Sequence, residues 1–283
     1  RFSTIMKETS TSIQVKDNVP IEWLPILAYH KIGTQKELGI TWIAPSVFEK
    51  QIAFLHSEQY QTVSPNDLTE ALLEKRKLPE KSVMITFDDG YESCYTHAFP
   101  ILKRYGFTAT IFMLAGYVGK WNSWDARLGW KRFKHLSREQ IIDLDLEGFT
   151  FGSHGLNHLF LTLQHHKTIQ TELKMSKSIL EDILQKPIDC FAYPYGNYNS
   201  KTTQLVKEAN YHIAFSLNPS PQIANSQTYY LPRMGIYLWD TLNTFKTKLR
   251  QNGEMRFRIE CTKNILINRL TYGNLIRFYA SSN

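Results

Sequence analysis

From Ile21 onward, short apolar runs alternate with longer segments whose apolar residues recur at helical spacing. That alternation constrains the fold more than any other feature of the chain. The expected strands are Ile26–Tyr29, Val83–Phe87, Thr108–Leu114, Phe149–Gly152, Cys190–Tyr193 and Ile213–Leu217; each is short, bounded by polar or turn residues, and too brief for a helix. Between them, Ser46-Val47-Phe48-Glu49 has the pattern of a capping box ahead of Phe48, Ile52 and Leu55, because a serine can accept from a backbone N–H while a glutamate reaches back. Ser137 to Gln140 repeats that logic before Ile141, Leu144 and Leu146, and Ile169, Leu173, Leu180 and Leu184 mark a longer helix. Gly106 and Gly148 stand where helices stop, a usual place for a left-handed residue. Strands separated by helices give a parallel sheet, either open or closed into a barrel. No repeat or interdomain linker divides the chain, so one domain is expected over residues 21–245, with a polar tail at 1–20 and a basic extension at 246–283.

Composition narrows the class. Of 283 residues, 42% are hydrophobic and 13% aromatic, enough for a large core. No apolar run approaches the roughly 18 residues of a membrane span. Cys94, Cys190 and Cys261 are odd in number and far apart, which argues against a disulfide framework. The first residue is Arg1, so a preceding signal or anchor would not be visible. The net charge of +7 is concentrated toward the C-terminus, where Arg256-Phe257-Arg258-Ile259 interleaves basic and apolar residues. Such a stretch serves either as a solvated face or as a contact with an anionic membrane or cell-wall surface. No nucleic-acid motif accompanies the charge.

Three clusters carry chemistry. Thr86-Phe87-Asp88-Asp89-Gly90 follows an apolar run, at the C-terminal end of an expected strand, where active sites of parallel α/β folds lie. Adjacent carboxylates repel; the pairing makes sense if one binds a metal and the other handles protons, although a polar turn would look the same. Ser153-His154-Gly155-Leu156-Asn157-His158 follows a second strand. Two histidines four apart can aim at one cation, and a carboxylate would complete a site with open positions; hydrogen-bonded loop histidines are the plainer alternative. In Phe191-Ala192-Tyr193-Pro194-Tyr195-Gly196, a strand ends in a rigid turn that could point a backbone N–H at an oxyanion; taken alone, a plain strand-ending turn is the simpler reading.

Taken together, these motifs resemble the polysaccharide deacetylases, the NodB-like carbohydrate esterases of family 4. The first motif matches in full. In the second, Gly155 stands where the family has Ser or Thr. The resemblance runs from about Ile21 to Ile236. It implies a distorted (β/α)7-type barrel that removes acetyl groups from N-acetylated sugars. Asp89, His154 and His158 would hold a divalent metal, zinc in most members, with nickel, cobalt or iron as alternatives. Asp88 would be the general base, and the Tyr195 N–H would face the oxyanion.

Two departures from the family pattern carry expectations of their own. The arginine that opens the third motif and orients the catalytic Asp is replaced by Ala192, and Arg233, in Leu231-Pro232-Arg233, is expected to substitute. The C-terminal Leu-x-x-His motif is missing after Gly196 but occurs as Leu27-Ala28-Tyr29-His30. This resembles the circularly permuted branch that acts on poly-β-1,6-N-acetylglucosamine, and it makes His30 the acid that protonates the departing amine. Trp121 and Trp124, in a segment with Trp130, are expected to stack on pyranose rings, with Tyr193 and Pro194 as further substrate contacts. The N-acetylated glycan is the expected partner and the location extracytoplasmic. Peptidoglycan, chitin oligomers and lipid-linked amino sugars are alternative substrates, and a lapsed, carbohydrate-binding scaffold is the alternative of another class.

Overall fold

The computed structural model describes residues 24–34, 39–73, 77–123, 132–219, 228–250 and 255–281, with side chains as far as residue 268. The expected tail at 1–20 lies outside these residues. The strands are β1 (Ile26–Tyr29), β2 (Lys31–Ile32), β3 (Trp42–Ile43), β4 (Gln61–Thr62), β5 (Ser82–Phe87), β6 (Thr110–Met113), β7 (Thr150–Ser153), β8 (Cys190–Ala192), β9 (Ile213–Phe215) and β10 (Met234–Gly235). The helices are α1 (Pro45–Ser57), α2 (Pro65–Leu72), α3 (Phe99–Arg104), α4 (Arg138–Leu146), α5 (His166–Leu184), α6 (Ser200–Glu208), α7 (Leu242–Leu249) and α8 (Met255–Ser281).

An all-parallel sheet runs in the order β10-β1-β5-β6-β7-β8-β9, with β4 paired to the start of β5. Residues 228–235 curl the sheet closed. Ala214 of β9 donates to Thr228, and Leu231 exchanges hydrogen bonds with Ala214 and Ser216. The same segment then pairs Met234 and Gly235 with Leu27 and Ala28 of β1. The first strand thus sits between β5 and the last strand. Strands covered on both faces must be apolar throughout, and β1 and β5 are buried along their whole length. Tyr29, Phe48 and Phe87 form an aromatic trio at 5.2, 5.5 and 5.9 Å, contacts that add about 1 kcal/mol each beyond area burial.

The capping box at Ser137 forms with Gln140. The one expected at Ser46 does not: α1 begins at Pro45 with Ala44 as its cap, because proline's fixed φ already suits the first helical position. Glu49 instead pairs with Arg104. Leu146 faces solvent, 81% exposed, whereas Ile141 and Leu144 carry the buried stripe of α4. Gly106 and Gly148 take φ of 71° and 86°. All three cysteines are free and buried. The boundary expected after residue 245 falls inside α7, whose Phe245 and Leu249 enter the core together with Phe257 and Cys261 of α8. Lys248, counted with the basic extension, is buried and donates to Asp240 and to the Gly235 carbonyl.

Candidate metal and catalytic site

The C-terminal ends of β5, β7 and β8 converge. After β5, the Asp88 N–H donates to Tyr29 O at 2.9 Å, which extends the ladder by one residue. The chain then turns through Asp89 and Gly90, both left-handed at φ 69° and 66°. A side chain at Gly90 would strike Met113, with Sδ 2.1 Å from a built Cβ, so only glycine fits there. Asp89, a residue with a Cβ, is held in that conformation by its surroundings; His158 (φ 58°) and Tyr195 (φ 59°) share it. Such strain concentrates at functional sites.

Asp89 Oδ1 lies 3.5 Å from His154 Nε2 and 3.3 Å from His158 Nε2. One donor atom from each residue lies within 4.8 Å of the others, and all three residues are buried. This is the donor set of a divalent transition metal, two imidazoles and one carboxylate. Its surroundings suit a ligand role. His154 Nδ1 bonds to Ala192 O at 2.7 Å, which fixes the tautomer and leaves Nε2 with its lone pair toward Asp89. Burial lowers the pKa of His154, with Asp88 opposing, and burial followed by neighbouring histidines puts His158 well below its ordinary value. Both rings are therefore neutral at physiological pH, as ligands must be.

Glu172 on α5 anchors the loop carrying the two histidines. Its Oε2 accepts from the N–H groups of Leu156 and Asn157 at 2.8 and 2.9 Å, and its Oε1 from Asn157 Nδ2 at 2.7 Å. Gly155 turns this loop at φ 86°, where an added Cβ would stand 3.2 Å from Glu172 Oε2. The departure at Gly155 thus has a local cause, a left-handed turn pressed against a buried carboxylate. Glu172 escapes the motif reading because it is remote from the motifs. Its trace in the sequence is a carboxylate at helical spacing inside the stripe Ile169, Leu173 and Leu180.

Asp88 is fully buried, and Arg233 grips it with two parallel bonds, NH1 to Oδ1 at 2.6 Å and NH2 to Oδ2 at 2.8 Å. The guanidinium is itself fixed by Ser216 O at 3.0 Å and Thr86 Oγ1 at 3.1 Å, and it lies over the Phe112 ring. Burial pushes the Asp88 pKa up, but Arg233 and then His154 outweigh it and hold the carboxyl at about 2. Asp88 is thus a carboxylate at any working pH. Ala192 offers no guanidinium; Arg233 brings one from 41 residues further along the chain.

His30 ends β1 on the same rim. Its Nδ1 is buried without a hydrogen-bond partner among the described residues. Burial lowers its pKa to about 4, against an upward pull from Asp88. Tyr195 borders the cluster: its ring stacks on Phe160 at 3.8 Å and meets His158 at 4.3 Å. Tyr193 is not a substrate contact. Its side chain is fully buried, packs on Phe191 and donates its hydroxyl to Tyr229 O at 2.8 Å; strand alternation puts residues 191 and 193 on one face, toward the core. Pro194 is buried too, facing Gly155. Trp121 is 54% exposed and bridges Lys134, next to the Tyr91–His135 pair that follows the Asp-Asp-Gly turn. Trp124 and Trp130 lie outside the described residues.

Comparison with known proteins bears on the family and the fold. The family described as polysaccharide deacetylase matches residues 75–214. The Bacillus subtilis protein YxkH, a polysaccharide deacetylase by name, is 31% identical over 230 residues, 81% of this chain and 77% of its own length. A poly-beta-1,6-N-acetyl-D-glucosamine N-deacetylase of Staphylococcus aureus is 32% identical over 208 residues, covering 71% of this chain and 70% of that protein. Among solved structures, the Streptococcus pyogenes deacetylase PplD in complex with acetate superposes with a TM-score of 0.72 at 26% identity, over 82% of this chain and all of that one. IcaB from Ammonifex degensii gives 0.67 at 25% identity, over 79% and 94%.

Proposed function

The chain belongs to the polysaccharide deacetylase family, hydrolases of N-acetyl amides, and from that premise we propose that it is a metal-dependent deacetylase of a poly-β-1,6-N-acetylglucosamine. The observation that carries the mechanism is the His154–His158 pair facing Asp89, next to an Asp88 locked by Arg233. Asp89, His154 and His158 would hold the cation, with zinc best suited to two imidazoles and a carboxylate. A cation there supplies Lewis acidity and makes water a nucleophile at neutral pH.

The remaining steps belong to the chain's own residues. Asp88, ionised and oriented by Arg233, takes a proton from the attacking water. The Tyr195 N–H, offered by a left-handed turn, faces the oxyanion as the carbonyl carbon becomes tetrahedral. His30 passes a proton to the nitrogen as the C–N bond breaks, which yields acetate and a free amino sugar. Because His30 starts neutral, it first receives from Asp88 the proton taken from the water, and that proton then goes to the nitrogen. Trp121 offers a ring face to the sugar.

The β-1,6 linkage rests on the Staphylococcus relative and on the position of His30 just after β1, the strand that lies between β5 and β10, the arrangement expected of a permuted chain. A polymer of this kind is met outside the cytoplasm, and the basic C-terminal residues suit an anionic wall or membrane there. Among the described residues, no helix is long and apolar enough to cross a membrane. Arg233 counts against a lapsed scaffold, since a binder has no need for a clamped base. The test is acetate release from a panel of acetylated glycans by wild type and Asp88→Asn. Release from the β-1,6 polymer that is lost in the variant is expected; equal release by both would overturn the mechanism.

A further inference from the structure

Helix α8 presents two faces. Phe257, Glu260, Cys261, Asn264 and Asn268 are buried against the domain. On the opposite side Met255, Ile259 and Leu266 are 73%, 46% and 56% exposed. At 3.6 residues per turn these three fall within about 40° of one another. Arg256 and Lys263 flank this stripe on one side and Arg258 on the other, all exposed. An outward apolar stripe between rows of cations is what a soluble helix avoids and an interfacial helix needs.

A second observation places more positive charge beside it. A groove of about 460 Å³ opens between α7 and α8, lined by Lys246, Arg250, Arg256, Lys263, Ile259 and Glu260 among others. Among the described residues that line it, the one carboxylate, Glu260, is engaged by Lys263 at 2.8 Å. The groove therefore carries a net excess of cations next to an exposed apolar side chain, the chemistry that receives a phosphate headgroup with its acyl chain alongside.

We propose that the outer face of α8, with the α7–α8 groove, docks onto an anionic phospholipid bilayer, with the helix lying in the plane of the surface. A soluble anionic polymer would use the groove but leave Met255, Ile259 and Leu266 without a purpose, so the apolar stripe selects the lipid. Docking bears on the reaction through the fold. Asn268 donates to Leu217 O, two residues past β9, and Leu217 packs against Gly196, next to Tyr195. The helix is thus tied to the rim that carries the site, and a docked protein holds that rim close to glycan at the membrane. This proposal does not depend on the substrate reading.

The test is vesicle flotation of the full chain, with pure phosphatidylcholine and with equimolar phosphatidylcholine and phosphatidylglycerol. Wild type floats with the anionic vesicles alone and is released by salt. Each basic residue near a strongly anionic surface contributes about fivefold in partitioning, so R256Q/R258Q/K263Q lowers it by about a hundredfold. M255S/I259S/L266S also lowers it, at unchanged charge. Both triple variants keep the wild-type melting temperature and their acetate release from a soluble oligomer. No flotation, equal flotation with neutral vesicles, or serine variants that float like wild type would overturn the proposal. So would capture by soluble polyphosphate with no vesicle binding.

Discussion

Arg233→Met separates the two tasks assigned to the guanidinium. The substitution keeps most of the volume and removes two bonds, at 2.6 and 2.8 Å, from a carboxylate with no exposed surface. Breaking a buried pair by removing one partner costs about 3–5 kcal/mol, because the remaining charge is left uncompensated. Part of that is visible as linkage. Asp88, at about 2 in the folded chain against an ordinary value near 3.9, contributes about 2–3 kcal/mol above pH ~4 and loses it as pH falls through about 2. Without Arg233 the burial penalty is less opposed and the Asp88 pKa rises. The acid limb of kcat/KM therefore moves to higher pH, and kcat falls by about a hundredfold or more as the base loses its orientation. Arg233→Lys keeps the charge but not the fork, so it restores the melting temperature more than kcat. Thermal melts and a pH profile of acetate release read both effects. Full activity with an unmoved acid limb in Arg233→Met would refute the clamp.

Removing Glu172 tests the loop anchor: Glu172→Ala frees three donors at 2.7–2.9 Å, and zinc affinity, followed by competition with a chromogenic chelator, should fall about 10–100-fold. Gly155→Ser, although it restores the residue usual in the family, should cost about 1–2 kcal/mol in a denaturant melt because φ is 86°. Tyr193→Phe removes one buried hydroxyl bond and should cost about 1 kcal/mol with KM unchanged; a raised KM would return Tyr193 to the substrate.

The strands of the barrel were legible because a sheet covered on both faces writes itself as apolar runs, and Ile26–Tyr29 is the plainest case. The approach of Asp89 to His154 and His158 was legible because Asp88-Asp89 and His154…His158 each follow such a run, so both land on one rim. Arg233 could be placed there for the same reason, although it pairs with a residue 145 positions away. What stayed hidden depends on direction and closure. Nothing local in 228–235 says that it hydrogen-bonds to β9 at one end and to β1 at the other. Tyr193 was assigned by proximity to the motif, whereas its alternation with Phe191 turns it inward. Ser46 has the residue types of a cap, but Ala44 takes that place and Pro45 starts the helix two residues earlier. Lys248 looks like part of a solvated basic run until α7 folds it onto Asp240.

The central claim is that Asp89, His154 and His158 share one cation beside Asp88. Metal analysis of the purified chain, paired with acetate release before and after chelation, tests it most directly. The account predicts a single bound ion per chain, loss of release on its removal, recovery with zinc, and no bound ion in His154→Ala/His158→Ala. Undiminished release from the stripped protein, or an ion retained by that double variant, would contradict it.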